Sequence, residues 1–167
     1  MKKLLLVIAM VAAGFTANAQ EANGQTAKGK WLIEANTGSW TTGNTSFSLR
    51  SIDGNTAWSI GAEGGYFVAD DLAVKVGLGF ADDGFDSEFV YKVGAKYYIA
   101  SQFPVGVDFT GVSPDGGDSV NFIGLQGGYA WFLGDNVSVE PALRYNVALK
   151  DGQEGAFQAL IGFALHF

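Results

Sequence analysis

Eight stretches of this chain alternate apolar and non-apolar residues with a period of two, and no apolar face carries a charge. Period two is the repeat of an extended strand, whose successive side chains leave on opposite faces. The chain is therefore expected to be all-β. The last stretch, Ala156 to Phe167, shows the pattern clearly. Phe157, Ala159, Ile161, Phe163, Leu165 and the terminal Phe167 share one face; Gln158, Leu160, Gly162, Ala164 and His166 share the other.

The seven earlier stretches run from about Lys30 to Thr37, Thr56 to Val68, Leu72 to Phe80, Phe89 to Ile99, Val105 to Thr110, Val120 to Phe132 and Val137 to Leu149. Their connections alternate in length. Polar Gly38–Asn55, acidic Ala81–Asp86, Pro114–Asp118 and Lys150–Gly155 are long; Ala69–Asp71, Ser101–Pro104 and Gly134–Asn136 are short. An even strand count with both termini on the short-turn side is the connectivity of an antiparallel up-and-down barrel. Strand 8 must then pair with strand 1, since a closed ring leaves no edge. Pro141 sits on the apolar face of the seventh stretch and cannot donate to a ladder, which predicts a local bulge or twist.

The second face decides which side is outside. It is rich in glycine, with Gly61, Gly65, Gly77, Gly79, Gly94, Gly106, Gly124, Gly128 and Gly162, where a water-facing strand would carry Lys, Glu, Thr and Ser. Glycines fit the crowded inside of a narrow barrel. The same face carries four charges of each sign: Glu34, Glu63, Asp108 and Glu140 against Lys75, Lys92, Lys96 and Arg144. Six of them (Glu34, Glu63, Lys75, Lys96, Asp108 and Glu140) fall at similar depths from the short turns, which predicts a belt of ion pairs across the lumen. The competing arrangement, a soluble lipocalin-like barrel, would put the apolar face inside. Charged residues make up only 16% of the chain, against roughly 25% in an ordinary soluble domain. Aromatic residues gather at both strand ends: Trp31, Tyr66, Tyr97, Phe103, Trp131 and Phe167 near the short turns, Trp58, Phe80, Phe89, Phe109 and Phe157 near the long loops. Two such girdles anchor a barrel at two membrane interfaces.

The first nineteen residues read as a secretory signal. Lys2 and Lys3 precede an apolar run from Leu4 to Phe15, and Ala17-Asn18-Ala19 forms an A-x-A site, so the mature chain is expected to begin at Gln20. The run is too short for a spanning helix of about 20 residues. Residues 20–29 are expected to be a flexible lead-in and 30–167 the barrel domain. The chain has no cysteine, which excludes disulfides, thiolate metal sites and a lipid-anchoring cysteine, and its net charge of −7 argues against nucleic acid.

With its signal peptide, eight alternating stretches and terminal Phe167, the chain resembles the small outer-membrane β-barrel proteins of Gram-negative bacteria, those of the OmpA/OmpX kind. The resemblance implies a multi-pass barrel with both termini in the periplasm, surrounded by outer-membrane lipid and lipopolysaccharide. It implies a last strand (Phe157, Ile161, Phe163, Leu165, Phe167) read by the barrel-assembly machinery. A monomer with a structural, adhesive or stress-related role follows from it too, without the periplasmic peptidoglycan-binding domain of the OmpA type. OmpW-like relatives, which are thought to pass small hydrophobic molecules, keep a narrow conduit in view.

No catalytic or metal residue is assigned, and no cofactor is expected. Some small barrels modify lipid A with Ser/His-based sites; here the only histidine, His166, has Ser138 as its one convenient serine. The long loops carry Asp53, Asp82, Asp83, Asp86, Glu88, Asp115, Asp118, Asp151 and Glu154, oxygen ligands of the type Ca²⁺ or Mg²⁺ takes, without calcium-loop spacing. The Asn44-Thr-Ser46 and Asn136-Val-Ser138 triplets match the glycosylation pattern and carry little weight in a bacterial chain.

Overall fold

The structure, a computed structural model, describes residues 24–39, 43–53, 55–150 and 152–167. The signal segment and its cleavage site lie outside them. Strands β1 (Trp31–Asn36), β2 (Ser48–Ile52), β3 (Asn55–Ala69), β4 (Leu72–Asp82) and β5 (Ser87–Ile99) are followed by β6 (Phe103–Pro114), β7 (Val120–Gly128), β8 (Trp131–Phe132), β9 (Val137–Ala148) and β10 (Ala156–His166). All pairings between these strands are antiparallel, and an isolated bridge between Asn36 and Ser46 is parallel. The ring runs β1, β3, β4, β5, β6, β7, β9, β10 and back to β1, a closed eight-stranded up-and-down barrel. The closing pair sets Leu32 opposite His166 and Asn36 opposite Gly162. Phe167 and Trp31 exchange backbone hydrogen bonds of 2.6 and 3.0 Å, so the last residue of the chain seals the ring.

Burial follows the pleat. Glu34, Glu63, Lys92, Lys96, Glu140 and Arg144 are buried, while their strand neighbours Ile33, Ala62, Val93, Tyr97, Val139 and Tyr145 point away from the lumen. Between the girdles, no charged side chain of the described ring strands points outward. The outer wall is an apolar band in which Ile60, Val76, Leu78, Val93, Leu125, Leu143 and Phe163 are all exposed. Its ends carry aromatic pairs: Trp31 with Tyr66, 5.0 Å between ring centroids, and Phe103 with Tyr129, 5.5 Å, at the short turns; Trp58 with Phe80, 5.6 Å, at the long loops.

Three features depart from the expected pattern. Gly38–Asn55 is not simply a polar loop. It contains β2, which pairs with β3 from Ser48 opposite Ser59 to Ile52 opposite Asn55 and continues the row of β1. Pro141 causes no bulge, because the registers on both sides of it stay constant. Instead the ladder breaks opposite it: Tyr129 donates to the Pro141 carbonyl at 3.1 Å, Pro141 has no N–H to return, and Ala130 turns to the Gln102 carbonyl at 2.7 Å. The sixth expected stretch is thereby split into β7 and β8. The lead-in is held over Gly24–Gly29: a 3-10 turn at Gly24–Thr26 buries Thr26, and Gly29 donates to Phe67 at 2.9 Å.

Candidate functional site

Lumen-facing residues alternate along every ring strand, so charges far apart in sequence meet at one level. Glycines on neighbouring strands make room for them. A Cβ on Gly77 would stand 2.8 Å from Glu63 Cγ, one on Gly65 3.1 Å from Lys75 Cγ, and one on Gly124 2.7 Å from Asp108 Oδ1 and against the Arg144 guanidinium.

Six charges form one alternating chain: Glu140, Lys96, Glu34, Lys75, Glu63, Lys92. Lys96 bridges Glu140 and Glu34, and Lys75 bridges Glu34 and Glu63, at 2.6 Å to Glu63. Lys92 ends the chain 2.8 Å from Glu63. Tyr98 and Ser138 donate to Glu140 at 2.9 and 2.8 Å. Asp108, expected in this belt, stands apart from it. Arg144 holds it with two parallel bonds of 2.6 and 2.7 Å, while Thr110 donates to it at 2.7 Å and Arg144 Nε donates to Asn146 at 2.8 Å. Each buried charge has an opposite partner, the condition under which burial is tolerated.

Sequence reasoning missed what fills the upper lumen. Residues Gly43–Ser46 fold inward and are buried. Thr45 donates to Glu63 at 2.6 Å, Lys92 donates to the Asn44 side-chain oxygen at 3.2 Å, and Asn44 Nδ2 donates to Gln158 at 2.6 Å. Asn44 is thus a lumen residue, not a glycan acceptor. The one available signal was the run of small polar residues, which suits a polar interior as well as it suits solvent. Beside the charges remains a cavity of about 20 Å³, room for one water, lined by Lys92, Gly94, Gly106, Asp108 and Gln126 among others.

The short-turn end is closed by packing. Leu32, Phe67, Tyr98 and Ala130 are completely buried, and His166 lies among Phe67, Tyr98 and Phe132 at centroid distances of 5.3 to 6.2 Å. Ser138 and His166 do meet: Oγ is 3.0 Å from Nε2. The hydroxyl proton, however, goes to Glu140, so Nε2 must carry a proton and donate to Oγ. A histidine that donates to the serine cannot take its proton, and the pair is sealed from solvent.

Among the described residues, no group of three or more His, Cys, Asp or Glu side chains could hold a metal ion. Among the loop carboxylates, Asp83 and Asp118 have local partners, whereas Glu88 Oε2 is buried without a hydrogen-bond partner among the described residues. Asp83 accepts from the Phe85 and Asp86 amides at 2.9 and 2.8 Å; the Asp86 and Phe85 N–H groups hold its carboxyl below its ordinary range. Lys150, 2.8 Å away, does the same for Asp118. Asp151 lies outside the described residues. On the outer wall, Phe157, Ile161, Phe163, Leu165 and Phe167 are all exposed and share one face of β10.

No family model matches the chain, and no curated protein matches it. The structure is similar to the crystal structure of the N-terminal β-barrel domain of Pseudomonas aeruginosa OprF, with a TM-score of 0.55 and 14% identity over 84% of this chain and 98% of that one. Neisserial surface protein A (NspA) aligns with a TM-score of 0.37 and 14% identity, over 82% of this chain and 90% of that one. The likeness to the OprF domain is one of fold: this chain, like that domain, is a closed antiparallel β-barrel, here of eight strands.

Proposed function

We propose that the chain is an integral outer-membrane barrel, closed to solutes, that works as a structural or surface-interaction protein through its acidic long loops. The observation that carries this reading is the inverted amphipathy of the wall: an uncharged apolar outside around a belt of paired charges inside. Water could not stabilise that outer face, whereas hydrocarbon does. In this reading the termini and short turns are periplasmic, the barrel-assembly machinery reads the β10 face ending at Phe167, and lipopolysaccharide surrounds the upper girdle. The barrel works as a monomer, without cofactor, catalytic site or nucleic-acid partner. Residues 1–19 direct export and are removed.

Two measurements test it. Cell fractionation should place the chain in the outer membrane, with a gel mobility that shifts on heating. Recovery in the soluble periplasm would overturn the reading. In planar bilayers the protein should give no stable single-channel steps, because the Gly43–Ser46 segment, the charge chain and the Phe67/Tyr98/His166 cluster stand in series. Steady steps would favour the other reading, a narrow conduit for small or hydrophobic solutes.

A further inference from the structure

The outer wall is not uniformly convex. A groove of about 690 Å³ crosses β7, β9 and β10 and ends at Thr37, within the range of 300–1,000 Å³ usual for ligand pockets. It lies along two rows of residues that face one another across the three strands. One row is Gly127, Leu143 and Ala159; the other is Tyr129, Pro141 and Ile161. The wall is recessed there because Gly127 and Ala159 are small among larger neighbours, and a Cβ on Gly127 would meet nothing within 4 Å.

At its upper end the ring changes. Thr37 makes the last contact of the first strand with β10: its N–H donates to the Ile161 carbonyl, and its hydroxyl accepts from the Ile161 N–H, both at 3.0 Å. The chain then turns inward, where the Ser39 amide donates to the Gln158 side chain at 3.0 Å. Above this point β2 pairs only with β3, and β10 only with β9. Phe157 and Ala159 direct their N–H and C=O groups to the same side as Ile161, and no described residue pairs with them. In hydrocarbon such groups need a partner.

We propose that this groove and the open edge above it bind one acyl chain of lipopolysaccharide; the inference rests on the outer-membrane reading. The apolar groove takes the chain. The edge needs both a donor and an acceptor close to the acyl carbons, which an amide-linked, hydroxylated acyl group supplies and an ester-linked glycerolipid does not.

The test is native mass spectrometry of the protein extracted from outer membranes in mild detergent, on wild type, Ala159→Phe, Gly127→Leu and Gly64→Leu. The last fills another open outward glycine, on β3, and serves as the control. Wild type and control should retain one lipopolysaccharide per barrel. Each groove variant should lose it about tenfold, equivalent to about 1.4 kcal/mol of contact. Heat-shifted gel mobility establishes that every variant folds. Equal retention in all four, retention in none, capture of glycerophospholipid instead, or a dimer mass lost on filling the groove overturns the proposal. Such results leave the membrane reading intact if fractionation still places the chain in the outer membrane; soluble recovery overturns both.

Discussion

Lys96 shows how much depends on one lumen residue. Its ammonium is the shared partner of Glu34 and Glu140, so Lys96→Met leaves two buried carboxylates without it. Breaking a buried pair in this way costs about 3–5 kcal/mol. The loss should appear as a lower temperature for the heat-induced gel shift and a lower urea midpoint in liposomes. The Arg144–Asp108 pair offers a sharper experiment because it stands apart from the six-membered chain. Arg144→Met alone should be strongly destabilising, and adding Asp108→Leu should restore most of the loss, since the pair stabilises mainly by sparing each charge isolation. A double variant no better than the single one would mean that Arg144 acts through Asn146 and Thr110 instead.

The elements divide into those whose own pattern specifies them and those that depend on a neighbour. The turn at Asp83 belongs to the first kind. Its depressed carboxyl stabilises the turn at neutral pH, where it is ionised, and that contribution is lost as pH falls through the lowered folded-state value. Hydrogen exchange should therefore find the Phe85 and Asp86 amides protected at neutral pH, with protection failing only in acid below the ordinary carboxylate range. The lead-in belongs to the second kind. Thr26 donates to Asp71 at 2.6 Å, the Asp71 amide donates back to the Thr26 carbonyl at 2.8 Å, and Ser101 reaches the same carboxylate at 3.2 Å. Asp71 itself adopts a positive φ of 64°. Nothing in residues 24–29 announces this docking, because its partners are turns some 45 and 75 positions away.

For the whole molecule, the decisive property is the solvent of the outer wall. Leu78 is 61% exposed at mid-wall. Leu78→Lys should cost roughly 2–4 kcal/mol in a bilayer, read from urea unfolding in liposomes. In a water-facing barrel the same change would be neutral, and a neutral result would count against the membrane reading.

Because a period of two is local and survives any packing, the sequence by itself determined the eight strands of the ring, their order and the ring closure, though not β2 or the break between β7 and β8. The same alternation sets Glu34, Glu63, Lys75, Lys92, Lys96, Asp108, Glu140 and Arg144 on the face opposite the apolar one. Tertiary structure alone decided who pairs with whom. Asp108 looked level with Glu34 and Glu63 when residues were counted from the turns, yet strand tilt and stagger carry it to Arg144. Only the fold decided that Gly43–Ser46 enters the lumen, since Thr45 and Asn44 are drawn there by Glu63, Lys92 and Gln158 from three different strands. Contacts of that kind depend on three-dimensional registry, which no local pattern records.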